Sequence, residues 1–348
     1  MKKIIFKLSL IYIFTFLLCS KIYSNEQKNL ISEIRNLLEF SNTIDASIKS
    51  YYSKNLYQPF WQNNKIKTNE FINVLKNAHQ EGIPIARYGL KDIEKLASSS
   101  EFNDLAKLEV ILTEKFLLYS QDLSVGIVDP LSLSSFIDIK REIPPSENFL
   151  NNLNDYLDIN NYFENLRPNN PDYLKLMKEL ANLKDIKSKK IKITSVPNDI
   201  TLEVGMSHPN IIPLRQRLFE LNIHQDTSNS ETFDKELLKS VMLFQEYSGL
   251  DSDGVVGKKT YQALNLSIDT KLMQVLVNLE RLRWLNFNFG KDYILINQAN
   301  YEAKYVSNNN ILWQSKVVIG LPDYQTAEFF DQMTHVIVNP TWHVPKSI

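Results

Sequence analysis

The hydrophobic period of this chain changes once, near Asp292, and that change limits the folds open to it more than any other feature. Upstream, apolar residues recur at helical intervals, as in Leu30, Ile34, Leu37 and Leu38, or Leu105, Leu108, Ile111 and Leu112. Breaks at Gln58-Pro59, Gly82-Ile83-Pro84, Asp129-Pro130, Pro144-Pro145, Arg167-Pro168 and Pro171 set helix ends, because proline cannot continue the helical hydrogen-bond ladder. Downstream, residues 293–297, 301–306 and 311–319 read as short apolar strands, and 329–340 as another. Ser307-Asn308-Asn309-Asn310 suits a hairpin, since asparagine tolerates left-handed backbone angles. The expected fold class is α+β and multidomain, with helices first and strands last.

Composition narrows the function classes. The chain has 348 residues, 43% hydrophobic and 23% charged, which is ordinary for globular protein and leaves room for several cores. Its 39 Lys+Arg balance 40 Asp+Glu, so no basic excess points to nucleic acid or to an anionic membrane surface. Met1-Lys2-Lys3 followed by an apolar run over 4–18 reads as a secretory signal peptide, residues 1–24, with cleavage after Ser24. The competing reading is an inner-membrane anchor formed by residues 4–18. A lipoprotein reading through Cys19 fits less well, because Phe16-Leu17-Leu18 precedes the thiol where a small residue is wanted. Cys19 is the only cysteine, so the exported chain would carry no disulfide framework.

The pattern divides the rest of the chain. Residues 25–190 read as an all-helical scaffold, in which Tyr51, Tyr52, Tyr57, Phe60 and Trp61 serve core packing better than a ligand platform. Residues 184–195 hold five lysines and read as a linker or solvated helix end. Residues 201–266 form a small three-helix unit. Its first helix carries Ile211, Leu214 and Leu218, and its second Leu237, Val241, Phe244 and Gln245. Asp251 to Gly257 makes a glycine-rich turn before a third short helix. Residues 267–290 read as a connecting helix whose Arg281 and Arg283 are expected to face solvent; gripping a peptide carboxylate is the sharper alternative.

Three blocks in the second unit, Leu-Arg-Gln-Arg-Leu (214–218), Phe-Gln-Glu-Tyr-Ser-Gly-Leu (244–250) and Asp-Gly-Val-Val-Gly-Lys-Lys-Thr-Tyr-Gln-Ala-Leu (253–264), resemble the peptidoglycan-binding domain family. Phe244, Leu250 and Val256 in them sit on the apolar period and read as core rather than ligand contacts. Residues 278–284, 293–297, 317–322 and 333–348 are similar to the corresponding segments of the murein L,D-transpeptidases that bear a scaffold domain. The resemblance implies that 291–348 begin a β-rich catalytic domain. It also implies peptidoglycan stem peptides as the partner, with no cofactor and no metal.

That family's chemistry uses a Ser-His-Gly-Cys motif, whose thiolate attacks a stem-peptide carbonyl and passes the acyl group to an amine, forming a 3–3 cross-link. A thiol activated by histidine and an oxyanion hole are the physical requirements. The motif lies beyond Ile348, so no catalytic residue is assigned, and the chain is expected to be a fragment, inactive alone. His335 and His343 read as ordinary strand histidines with no thiol to activate. The histidines show no metal-ligand spacing. Asp251 and Asp253 as a hydrolase pair are accounted for by turn chemistry. The alternative function is a non-catalytic peptidoglycan-binding scaffold protein.

Overall fold

A computed structural model of the chain describes residues 26–155, 158–286, 289–339 and 341. The expected signal peptide over 1–24, Cys19 and His343 lie outside the described residues. The chain forms two compact units, one built from residues up to 127 together with 143–288, the other from Val128–Glu142 and residues from Phe289 on.

In the first unit, helices α1 (26–40), α2 (Ala46–Lys54), α3 (Lys65–Asn77), α4 (Leu90–Ala97) and α5 (Phe102–Val125) are followed by α6 (Ser146–Asp155), α7 (Ile159–Leu166) and α8 (Pro171–Ser188). Their starts follow local chemistry. Asp45 accepts the Ser47 amide at 2.7 Å and caps α2. Asn170 accepts the Asp172 amide at 2.9 Å, and Pro171 occupies the first position of α8, where no amide is required. The expected linker over 184–195 is therefore half helix, since α8 runs to Ser188.

Aromatic rings fill the scaffold core. Trp61 stacks on Phe71 at 5.2 Å, Phe71 on Phe163 at 5.7 Å, and Phe116 on Tyr162 at 5.1 Å. Trp61, Phe71 and Phe116 are completely buried, each stabilising the fold by about 2 kcal/mol through the apolar area removed from water. Tyr51 and Tyr52 are buried and Tyr57 and Phe60 half-buried, so the aromatic group is mostly interior.

A carboxylate completes this core. Glu109 on α5 is fully buried and accepts the amides of Phe60 at 2.5 Å, Trp61 at 2.9 Å and Gln62 at 3.0 Å, with the Tyr52 hydroxyl at 2.9 Å. These donors satisfy a turn that packs under Trp61 and would otherwise bury unpaired amides. Desolvation pushes the Glu109 carboxyl up, while the three amides and the Tyr52 hydroxyl hold it down, and burial wins.

The three-helix part consists of α9 (Ile211–Glu220), α10 (Lys235–Tyr247) and α11 (Lys258–Leu264), followed by α12 (Ile268–Trp284). Ile211, Leu214, Leu218, Phe233, Leu237 and Val241 close its core together with Leu202 and Val256, which pair across an isolated antiparallel bridge. Phe244 is buried with them, while Leu250 is half-buried. Helix α12 packs along α8 through Val275 and Leu279 against Tyr173, Leu180 and Leu183.

The second unit contains a three-stranded antiparallel meander of β2 (Asp292–Asn297), β3 (Glu302–Ser307) and β4 (Asn310–Lys316), given that β1 (Ile137–Asp138) precedes it in the chain. Asp292 pairs with Ser307 and Asn297 with Glu302. Asn308 and Asn309 have φ of 46° and 64°, the two left-handed residues that a type I′ hairpin needs between β3 and β4.

Three expectations are corrected in this unit. The stretch 25–190 is not all helical, because β1 lies within it and pairs in parallel with β5 (Glu328–Phe329), in register Ile137 to Glu328. Nor do 329–340 form a long strand: only Glu328 and Phe329 have a ladder partner, and 333–339 are exposed without regular structure. A strand is stabilised by its neighbours, and 333–339 find none among the described residues. The strand expected over 311–319 likewise ends at Lys316.

Candidate functional site

In the three-helix part, the polar residues with the most chemical potential are committed to internal bonds. Arg215 on α9 is 1% exposed. Its guanidinium donates to Asp226 at 3.3 Å, to the Thr232 carbonyl at 2.8 Å and to Asp234, tying the loop before α10 to α9. His224 Nε2 lies 3.0 Å from Arg215 Nη1, and its Nδ1 lies 2.9 Å from Ser240 Oγ. Arginine can only donate, so Nε2 is the acceptor, and the proton of a neutral ring sits on Nδ1, facing Ser240. Desolvation, followed by the charge of Arg215, lowers the affinity of His224 for a second proton.

Arg217 donates from Nε to the Leu264 carbonyl at 2.9 Å and pairs with Glu220 at 3.2 Å, closing the end of α11 against α9. Glu220 also accepts the Thr194 amide at 3.1 Å. Gln245 spans the glycine-rich turn. Its Nε2 reaches Asp253 at 2.8 Å, the Val255 carbonyl at 3.0 Å and Thr260 at 3.2 Å, and its Oε1 accepts the Gly254 amide at 2.8 Å. Gly254 has φ of 74°, a left-handed angle that favours glycine, and a Cβ there would push the end of the Leu238 side chain aside. Asp253 accepts the Val255 amide at 2.9 Å, which holds its carboxyl below the usual range. This is turn chemistry, as expected for Asp253.

The expectation that both arginines of α12 face solvent is corrected at Arg283 and met only in part at Arg281. Arg281 is half-buried, with its guanidinium 6.0 Å from the Trp284 ring centroid. Arg283 does not face solvent. It is 1% exposed, paired with Glu280 at 2.9 Å, and bonded to the Tyr173 hydroxyl and the Glu81 carbonyl. Glu81 in turn pairs with Arg167 at 2.7 Å. Glu280 also accepts the Ile127 amide at 2.6 Å. A guanidinium with all these partners is a structural cross-brace, so Arg283 is no grip for a peptide carboxylate either.

His335 stands exposed outside any strand, with Nδ1 2.9 Å from Thr334 Oγ1. Among the described residues there is no cysteine, and no group of three or more His, Cys, Asp and Glu side chains that could hold a metal ion. None of the described helices is long and apolar enough to cross a membrane.

An open pocket of ≈ 320 Å³ lies between α1 and α2, lined by Leu38, Glu39, Lys49, Ser50, Ser53 and Tyr57. Sequence reading missed it. The available signal was Lys49, Ser50 and Ser53 at positions that share one face of α2, next to the Tyr57 turn.

Comparison with known proteins fits this architecture. Residues 46–180 match the family described as "Scaffold domain". Residues 207–264 match the family described as "Putative peptidoglycan binding domain". At family level, the chain is related to the L,D-transpeptidases. A "Putative L,D-transpeptidase" of Haemophilus influenzae is 27% identical to it over 94 residues, covering 25% of this chain and 19% of that protein. The match thus spans about a fifth of the relative's length. The family matched by 207–264 is described by peptidoglycan binding, which points to an extracytoplasmic place of action.

Proposed function

We propose that this chain serves cell-wall biogenesis in the periplasm, exported by its first 24 residues, as the scaffold and wall-binding portion of an enzyme that forms 3–3 cross-links by cysteine acyl transfer. The observation that carries the reading is the order of a scaffold domain, 46–180, followed by a peptidoglycan-binding domain, 207–264, in a chain similar to an L,D-transpeptidase. In this reading the three-helix part, braced internally by Arg215, Arg217 and Gln245, presents a preformed surface to the polymer. Rigid scaffolds lose less entropy on binding than mobile ones.

The chemistry needs a thiolate, a base and an oxyanion hole. Residues 26–348 contain no thiol, so the acyl-transfer step itself requires residues outside them. The domain division proposed is 25–190 for the scaffold, 201–266 for wall binding, 267–290 for the connecting helix and 291–348 for the start of the catalytic domain.

The second reading is a wall-binding protein without catalysis, favoured by the way every buried polar cluster described above serves folding. Two measurements separate the readings. Co-sedimentation with isolated sacculi is expected in both, and its absence sinks both. Reading the coding DNA past Ile348 is expected to show an in-frame Ser-His-Gly-Cys; a stop codon there favours the second reading. Turnover of tetrapeptide stems by the chain ending at Ile348 would overturn the assignment of the reaction to residues outside it.

A further inference from the structure

We propose that Glu280 is a positioning residue that fixes the root of the excursion Val128–Glu142, so that the pairing of β1 with β5 depends on the docking of α12. The proposal concerns the conformation of the chain and does not rest on the reaction assigned above.

The chain leaves the first unit after Ile127, forms β1 within the second unit and rejoins the first at Ile143. The end of α12 holds the point of departure through two side chains. The Glu280 carboxylate accepts the Ile127 amide at 2.6 Å, and Asn286 Nδ2 donates to the Ser124 carbonyl at 2.9 Å. Ser124 lies in the last turn of α5, where carbonyls have no intrahelical donor, so Asn286 supplies what the helix end lacks.

Glu280 is itself held in place. Trp284 Nε1 donates at 3.1 Å to Oε1, the same atom that takes the Ile127 amide, and Arg283 Nη1 donates to Oε2 at 2.9 Å. The Glu280 side chain is 14% exposed, and donors on both oxygens leave the carboxylate one well-satisfied position. Gly126 makes the approach possible. Its φ is 85°, and a Cβ there would lie 2.6 Å from Glu280 Oε1 and 2.9 Å from Trp284 Cδ1. A side chain at 126 would therefore displace the carboxylate or the indole.

The excursion can pass this fixing on because it is not slack. The Asp129 side chain accepts the Leu131 amide at 3.3 Å, and its carbonyl accepts the Ser132 amide at 3.1 Å, around Pro130 with its restricted φ. The Ser134 carbonyl accepts the Ile137 amide at 3.1 Å. Phe136 then offers its carbonyl to the Glu328 amide at 2.7 Å, beside the ladder that pairs Ile137 with Glu328 and Asp138 with Phe329. Strands of two residues contribute few bonds of their own. Such a ladder persists only where both strands are already ordered, because the entropy of ordering them exceeds what so few bonds return.

Hydrogen exchange of the full chain, followed by mass spectrometry on peptides covering Ile127 and Glu328, tests this in Glu280→Ala and Gly126→Ala. The first variant removes the carboxylate; the second displaces it and leaves its pairing with Arg283 possible. Both are expected to accelerate exchange at Ile127 and at Glu328 about tenfold, while α3 and the β2–β3 ladder keep wild-type rates. Acceleration at Ile127 with wild-type exchange at Glu328 overturns the proposal, since β1 would then pair independently of α12. Wild-type rates at both positions overturn it as well. So does equal acceleration in α3 and β2, as a general loss of stability would give.

Discussion

Arg283 and Tyr173 are 110 residues apart in sequence and meet in the interior, where Arg283 donates to the Tyr173 hydroxyl from Nε at 3.1 Å and from Nη2 at 2.9 Å. The same guanidinium reaches Glu280 and the Glu81 carbonyl, so a single side chain of α12 holds α8 and the turn after α3. Burial alone would lower its proton affinity, but its contacts with Tyr173 and Glu280 raise it.

Arg283→Met is therefore expected to destabilise the helical unit by about 3–5 kcal/mol, because it leaves Glu280 and the Glu81 carbonyl buried without their donor. Tyr173→Phe removes only the hydroxyl and is expected to cost about 1–3 kcal/mol. Urea denaturation of each variant measures this. A change in Arg283→Met within about 0.5 kcal/mol, the range of neutral surface substitutions, would show that the brace contributes nothing.

Glu109 gives the scaffold a pH dependence of definite sign. Burial raises its carboxyl in the folded chain, so the folded state keeps its proton to higher pH than the unfolded one. Its contribution to stability is full below the ordinary carboxylate range and is lost as pH rises through the raised folded value. Asp234 and Glu220, held low by amide, hydroxyl and guanidinium donors, act with the opposite sign. The test is thus the difference between the wild type and Glu109→Gln in denaturation series across acid and neutral pH. The wild type is expected to lose stability relative to the variant as pH rises. Parallel curves would mean that Glu109 does not titrate in that interval.

His224 acts in the other direction. Its ring is neutral between Arg215 and Ser240, and desolvation depresses its folded affinity for a proton. The stability it contributes is present above the unfolded value of about 6.5 and is lost as pH falls through the lower folded value. Below that value an imidazolium N–H would oppose the Arg215 N–H. Thermal unfolding is expected to show the wild type weakening from neutral to mildly acidic pH, with His224→Gln losing that part of the slope. An unchanged slope in the variant would assign the acid sensitivity to other groups.

Much of the local structure was legible because it depends on near neighbours. The Asn308-Asn309 hairpin followed from two residues that tolerate left-handed angles, and both adopt them. The three-helix part followed from the apolar period of α9 and α10, and Gly254 and Asp253 from turn chemistry. Less legible were residues whose role depends on distant partners. Arg281 and Arg283 are two positions apart on one helix, and nothing in the local pattern marks Arg283 as the one that is fully buried. The pocket at Lys49 was missed for the same reason, since two of its six lining residues belong to a different helix.

The amino-acid order by itself determined that helices precede strands, where most helices start and stop, and which turns need asparagine or glycine. These depend on the repeat period and on side chains reaching their own backbone, interactions that extend over only a few residues. Tertiary structure alone decided that Glu109, Arg215 and Arg283 go inside, that β1 leaves the helical stretch to pair with β5, and that 333–339 stay outside any sheet. A buried charge or a strand exists only if its partners arrive from elsewhere in the chain. That arrival is set by the packing of whole elements, which no short window of sequence contains.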